Sequence, residues 1–303
     1  LLGPTYESSV VSSNKLLMKN AFSRAGVRTA AYREICSEES MLRAATELGY
    51  PVVLKIVDGS GSKGAVVCHD EKSLRDAYTE ALSLTHSDNM VLEQFVDGEE
   101  FGAQAYVRDG KLLFTMLHGD LIYHGASGIP VGHFAPYSSE QSLQADVEEQ
   151  LRKCIAALQI DNCAINADFI LSDGKVYVLE IGARAGATCL PELVSECFGI
   201  NYYEYILCGA CGLPLPQLPA QPLYPALVFT PFSTQTGVVK GRQIPSCKEV
   251  VVCEIYPQIS EEVHAFRTAY DRIGHLVMRG ETMSGLLRVY EKDIQSFPFV
   301  TFD

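Results

Sequence analysis

The sequence has no basic surplus. Its 303 residues carry 24 Lys and Arg against 37 Asp and Glu, a net charge of −13, and no basic run, so a nucleic-acid partner is not expected. No apolar stretch reaches about 18 residues, which argues against a membrane span. The opening Leu1-Leu2-Gly3-Pro4 lacks the basic-then-hydrophobic order of a secretion signal. It also lacks an initiator methionine, so the expectation is a chain that begins partway through something larger. Internal repeats and low-complexity segments are missing too. Ten cysteines are present, mostly inside apolar runs, where a reduced thiol behaves as a small hydrophobe. A reducing, cytoplasmic home is the expectation. Cys208-Gly209-Ala210-Cys211 is the only C-x-x-C. No second pair or matched histidines follow it, so core thiols at a helix end are expected there and not structural zinc.

What is present is an ordinary globular composition, 47% hydrophobic and 20% charged, in a chain long enough for two or three packed lobes. Helical periodicity runs over 12–25, with Ser12 or Ser13 as cap and Gly26 as stop. A short strand is expected over Val27–Tyr32, a helix over Glu38–Leu48, and a strand over Val52–Val57. Ala65–Cys68 is a further strand, and Asp70 caps the next helix. Met90–Val96 reads as a strand broken by Asp97-Gly98. Glu100–Val107 and Leu112–Leu117 form a hairpin around Asp109-Gly110. Gly125–Gly132 reads as a glycine-rich loop, Gln141–Leu158 as a long helix with Val147, Leu151, Ile155 and Leu158 inward. Ala167–Leu171 and Val176–Ile181 pair across Ser172-Asp173-Gly174. Helices follow near Cys189–Phe198 and Tyr202–Cys208. The proline-rich 212–219 reads as a linker, beyond which lies a β-rich tail with a helix over Glu281–Tyr290.

Five features carry chemistry. Lys55 lies inside an apolar strand, where its ammonium must find an anion or lower its pKa; alone, it also reads as a snorkelling edge-strand lysine. The segment Asp58-Gly59-Ser60-Gly61-Ser62-Lys63-Gly64 places small residues where backbone N–H groups can wrap phosphate oxygens. It is neither a Walker A loop nor a dinucleotide fingerprint, and a plain hairpin tip is the alternative. Asp168 and Glu180, on strands joined by a tight turn, can share a face. They would repel unless a proton or metal lies between them, as Mg²⁺ does in nucleotide sites; the alternative is a solvated hairpin. Arg184, among Gly182-Ala183-Arg184-Ala185-Gly186, has room to dock a planar anion or to cap helix-end carbonyls. His118, His124 and His133 lie near a stretch that could face a second substrate. Each is a candidate base or substrate contact and each also reads as an ordinary structural histidine, with His124 and His133 kept as substrate candidates.

The order of these parts resembles the ATP-grasp superfamily, over about Ser13 to Tyr205. The resemblance implies an α+β fold of two lobes with mainly antiparallel sheets sandwiching the nucleotide, plus a small β-rich C-terminal subdomain. It divides the chain into a remnant and first helix (1–26), a small lobe (27–96), a large lobe with the metal site (97–212) and the tail (220–303). It implies Lys15 and Lys55 as phosphate-binding lysines and Ser60, Gly61, Ser62, Lys63 and Gly64 as the loop over the triphosphate. Glu93, Gln94, Phe95 and Val96 would form the adenine hinge, Glu100 would hold the ribose, and Asp168 and Glu180 the metal. The third metal ligand is usually asparagine two residues after the second acid, where this chain has Gly182. In that respect, and in Gly132-His133-Phe134-Ala135-Pro136, it is similar to the L-amino-acid ligase and carbamoyl-phosphate synthase branch. Family members also carry an upstream domain of about 100 residues, and this sequence starts where such a domain would end.

The implied activity is ligation. ATP, with Mg²⁺ or Mn²⁺, would convert a small-molecule carboxylate to an acyl phosphate, which an amine, expected to be an amino acid, then attacks. Arg184 and Lys55 would be the catalytic cations. A homodimer is an expectation. The alternatives are a phosphotransferase that stops before ligation and a non-catalytic ATP-binding module.

Overall fold

The computed structural model describes residues 1–59, 64–123, 129–138 and 140–302. Among them no helix is long and apolar enough to cross a membrane, and the cysteines are free thiols.

Asn14 divides the helix expected over 12–25. Its Oδ1 accepts the N–H groups of Leu16 and Leu17, giving α1 (Tyr6–Ser13) and α2 (Lys15–Ala25). The cap is thus Asn14 and not Ser12 or Ser13, because a side-chain carbonyl two residues back reaches the orphan donors. Gly26 ends α2 at φ +66°. Residues 27–31 carry no strand; β1 is Tyr32–Ile35.

β1 joins β2 (Val52–Ile56), β3 (Ala65–Cys68) and β4 (Met90–Gln94) in an antiparallel sheet of order β1-β4-β2-β3. Alternation sets its two faces. Val52, Leu54 and Ile56 pack under α3 (Glu38–Leu48) and α4 (Glu71–Leu84), the latter capped by Asp70 as expected. Val53 and Lys55 turn the other way, beside Val91 and Glu93 of β4.

The second sheet has eight strands. β5 (Glu99–Arg108), β6 (Lys111–Tyr123), β7 (Ile129–Ala135), β8 (Cys163–Ser172) and β9 (Lys175–Gly182) are joined by three strands of the tail. Those are β10 (Ala226–Phe229), β13 (Val250–Ile255) and β15 (Gly274–Arg279), in the order β13-β15-β10-β7-β6-β5-β8-β9. The tail also holds two short pairs, β11 (Gly237–Val238) with β14 (Glu262–Val263) and β12 (Gly241–Arg242) with β16 (Val300–Thr301). α8 spans Met283–Val289, shorter than the expected 281–290. Apart from these two short pairs, the tail's strands extend the large sheet: β10 pairs with β7 across Val228↔His133. Part of the stretch expected as a loop before residue 132 is strand β7, and 124–128 lie outside the described residues.

One face of this sheet, with Phe101, Ala103, Ala105, Ile165, Ala167, Phe169, Val176, Val178 and Ile181, packs under α5 (Gln141–Leu158) and under Met18, Ala21 and Phe22 of α2. α2 is thus a core element of the large sheet. The opposite face is graded. Its apolar end, with Tyr106, Met116, Ala164 and Val228, is covered by α6 (Leu190–Phe198) and α7 (Tyr202–Ala210). Its other end is polar.

Candidate functional site

A β-bulge creates the acidic pair. Val176 and Val178 point into the α5-side core, and strict alternation would send Glu180 after them. Between Val178 and Glu180 the register slips by one, pairing Asp168 with Glu180 and Phe169 with Val178. Leu179 is the extra residue, and it re-aims Glu180 onto the polar face beside Asp168 while Ile181 returns to the core. The cross-strand row then reads His118, Gly102, Asp168, Glu180.

Asp168 is half-buried, and its carboxyl is pushed up to about 8 by burial and by the neighbouring Glu180, Asp120 and Glu100, against the pull of Arg184. Such a carboxyl lacks countercharge. Two carboxylates on adjacent strands form a hard-oxygen donor set that fits Mg²⁺ or Mn²⁺. At Gly182 a Cβ would meet nothing closer than 3.7 Å. A side chain at this position would be accommodated in ordinary contact with Arg184 and Asn166.

The cations come from α2 and β2. Lys15 Nζ lies 3.3 Å from Glu180 Oε2 and donates to the carbonyl of Gly59 at 2.6 Å. Lys55 Nζ donates to Glu93 Oε2 at 3.1 Å. Lys19, one turn after Lys15, donates to the same Glu93 oxygen at 3.0 Å and to Thr29 Oγ1. Lys19 and Glu93 are both 2% exposed. Burial holds the Lys19 ammonium below its ordinary pKa despite Glu93. Burial pushes the Glu93 carboxyl up, yet the two lysines outweigh it and hold it below the usual range. Glu93 Oε1 is buried with no hydrogen-bond partner among the described residues. One oxygen takes both lysines, and the other is a free acceptor for a ligand N–H.

The remaining expected residues fall as follows. Gln94 and Phe95 leave β4 with their N–H groups already bonded to the carbonyls of Ala31 and Pro51, so these two donors are engaged within the protein. Val96 is half-buried and Glu100 is exposed on β5, close enough to act on Asp168. Gly64 sits at φ +70°, and a Cβ there would overlap Ile56. Arg184 is exposed and donates to the carbonyl of Ala185 in its own loop. His133 is buried, with Nδ1 2.7 Å from Asp120 Oδ1. Ser60, Gly61, Ser62, Lys63 and His124 lie outside the described residues.

Sequence reasoning missed Lys19, Asp120 and the pair Gln104–Asn166. Gln104 Nε2 donates to Asn166 Oδ1, and Gln104 Oε1 accepts the N–H of Gly186. A Cβ on Gly186 would lie 2.5 Å from Asn166 Oδ1, so a bare backbone is needed for this clamp on the Arg184 loop. For Lys19 a signal existed: Lys15 and Lys19 are four apart and so share one helix face.

Cations from one side face carboxylates from the other between two antiparallel sheets, an arrangement of the ATP-grasp type. The chain belongs to the ATP-grasp domain family, whose model matches residues 12–188. It is 28% identical over 224 residues to the carbamoyl phosphate synthase large chain, C-terminal section, of Aquifex aeolicus, covering 72% of this chain and 40% of that protein. It is 23% identical over 247 residues to an L-arginine-specific L-amino acid ligase of Bacillus subtilis, covering 79% and 59%. Among solved structures it is similar to a phosphoribosylglycinamide synthetase from Anaerococcus prevotii, with TM-score 0.81, 29% identity, and coverage of 100% of this chain and 77% of that one. An L-amino acid ligase from Bacillus licheniformis shares the fold at TM-score 0.83 and 18% identity, covering 100% and 76%. The chain spans about two-fifths to three-fifths of the length of these curated relatives.

Proposed function

We propose that the protein is an ATP-dependent ligase that activates a small-molecule carboxylate as an acyl phosphate and joins it to an amine, an amino acid being the favoured nucleophile. The observation that carries this reading is the meeting of Lys15 with Glu180 at 3.3 Å, which puts the cationic and acidic halves in one cleft. Lys15 and Lys55 neutralise charge on the transferring phosphoryl group. Asp168 and Glu180 are the residues that would hold Mg²⁺, whose chemistry is to bridge and polarise phosphate oxygens. The unpartnered Glu93 Oε1 accepts the exocyclic N–H of adenine, and Glu100 holds the ribose. Arg184 sits beyond the acidic pair on a loop clamped through Gly186, where it orients the substrate carboxylate. The similarity to an L-amino acid ligase and to a phosphoribosylglycinamide synthetase supports the class.

The deciding experiment is ATP-dependent phosphate release with Mg²⁺ across a panel of carboxylates and amines, run in parallel with hydroxylamine as nucleophile. Hydroxamate formed only with a particular carboxylate supports the acyl phosphate. ADP formation without hydroxamate for any carboxylate indicates a phosphotransferase, and nucleotide binding without turnover under all conditions indicates a binding module.

A further inference from the structure

We propose that Asp120, with the imidazoles of His118 and His133, is the proton acceptor of the ligation step, with His118 taking the proton from the attacking amine. This rests on the ligase reading above. Asp120 and His133 are directly opposed on β6 and β7, and His118 precedes Asp120 by two residues on the same face. Asp120 Oδ1 lies 2.7 Å from His133 Nδ1 and 3.2 Å from His118 Nδ1. The two rings meet edge to face, 5.0 Å between centroids. One carboxylate oxygen facing two Nδ1 atoms takes an N–H from each. The ring tautomers are thereby fixed, and each Nε2 is left as a lone pair. Hydrogen bonds from the two histidines outweigh burial and hold the Asp120 carboxyl well below the usual range, so the oxygen is an acceptor at neutral pH. Burial lowers the His118 pKa.

The placement ties this cluster to the reaction. His118, Gly102, Asp168 and Glu180 lie in one cross-strand row. A Cβ on Gly102 would come 2.4 Å from His118 Nε2, so the missing side chain is what lets the ring lean toward the acidic pair. His118 Nε2 is buried and has no hydrogen-bond partner among the described residues. A purely structural histidine would use both nitrogens, because an orphaned buried acceptor costs about 1–3 kcal/mol. The charged groups around the same polar face are Glu100, Asp168, Glu180, Arg184 and Lys15, the last 3.3 Å from Glu180.

The step balances. The amine nitrogen bonds the acyl carbon, the carbon–oxygen bond to phosphate breaks with its electron pair leaving on phosphate, and the surplus proton on nitrogen passes to His118 Nε2 and then to solvent. His133 acts through Asp120 and is a positioning residue.

Hydroxylamine separates this proposal from the ligase reading, because it is unprotonated near neutrality and attacks without a base. In His118→Gln the ratio of amide product to hydroxamate should fall by about 10²-fold, the ordinary worth of a general base. In His133→Gln it should fall by less, since that ring acts through Asp120. An unchanged ratio in His118→Gln, or equal loss of both products, overturns the proposal while leaving the ligase reading in place. A readout independent of turnover is the ¹⁵N–¹H correlation spectrum of the wild-type imidazoles at neutral pH. Protons at Nδ1 of both rings are expected, and Nε2–H tautomers would overturn it. Elemental analysis is the third arm: a stoichiometric transition metal that survives dialysis and disappears in Asp120→Asn would make the trio a metal centre and also overturn the proposal.

Discussion

Asp168 should cost the free protein stability, and by an amount that can be worked out. Its carboxyl is raised from 3.8 to about 8 by burial and by Glu180, Asp120 and Glu100. The difference of about 4 units, at about 1.4 kcal/mol per unit, sets an upper limit of roughly 5–6 kcal/mol. Side-chain relaxation and water at a half-buried group reduce this to about 2–3 kcal/mol. The sign follows from linkage: between pH 4 and 8 the unfolded chain releases the proton while the native state retains it. Stability therefore falls as pH rises across that window, and the penalty is complete above about 8. Asp168→Asn removes the titration. In EDTA at pH 8.5 the variant should melt roughly 3–5 °C above wild type, taking about 2 cal/mol/K per residue for the unfolding entropy, and the gap should close toward pH 4. Magnesium with nucleotide should raise the wild-type Tm and leave the variant nearly unmoved. Thermal unfolding followed by circular dichroism across pH tests both halves. A variant less stable than wild type at pH 8.5, or two parallel pH profiles, would refute the placement of Asp168 among uncompensated acids.

Glu93→Gln leaves Lys19 and Lys55 buried without their carboxylate, so it should cost about 3–5 kcal/mol in urea unfolding; the double variant with Lys19→Met should recover part of that. Lys55→Ala, at a side chain 14% exposed, should keep the fold by circular dichroism and lose ATP turnover by at least 10²-fold. Deleting Leu179 removes the bulge and leaves Glu180 next after Val178, still on the polar face beside Asp168; calorimetric Mg²⁺ binding should persist, and its loss would refute Leu179 as the extra residue. At Gly182 a Cβ would make an ordinary 3.7 Å contact with Arg184, so Gly182→Asn is accommodated and places an amide oxygen beside Glu180. Mg²⁺ affinity in the presence of nucleotide should rise by several-fold.

The parts of the fold legible in the sequence are those set by local chemistry. Asp70 and Gly26 end helices by bonds within one turn, and the Asp109-Gly110 and Asp173-Gly174 steps close hairpins by positive φ. Alternation of Val52, Leu54 and Ile56 against Lys55 announced a strand with one apolar face. Three features were not legible, each because it depends on distant residues. The break at Asn14 is invisible to periodicity, since α1 and α2 are both helical. The bulge at Leu179 shows only in register with β8. The docking of β10 on β7 depends on matching apolar faces almost 100 residues apart. In the candidate site, Lys55, Asp168 and Glu180 stood out because a charge in an apolar run needs an explanation. Glu93 looked like a ligand contact alone, and its second duty as counterion to two lysines needed three dimensions. Asp120 sat in a strand that gave no hint of the two histidines facing it.

The ion pairs of the free protein also bear on how the cleft works. Glu180 is 42% exposed and bound to Lys15, which is itself 18% exposed, so this pair is wet and worth little on its own. Lys19 with Glu93, by contrast, is sealed. The site thus holds one labile pair and one permanent one. If a magnesium triphosphate enters, Glu180 exchanges an ammonium for a metal ion and Lys15 exchanges a carboxylate for phosphate oxygens, so neither charge is stranded at any stage. Lys55 can likewise turn to phosphate, because Lys19 stays behind to neutralise Glu93. A site with only one lysine on Glu93 would have to choose between a buried unpaired carboxylate and a lysine unavailable to phosphate. The second buried lysine removes that conflict, and this is the physical reason for Lys19 in a position the nucleotide need not touch.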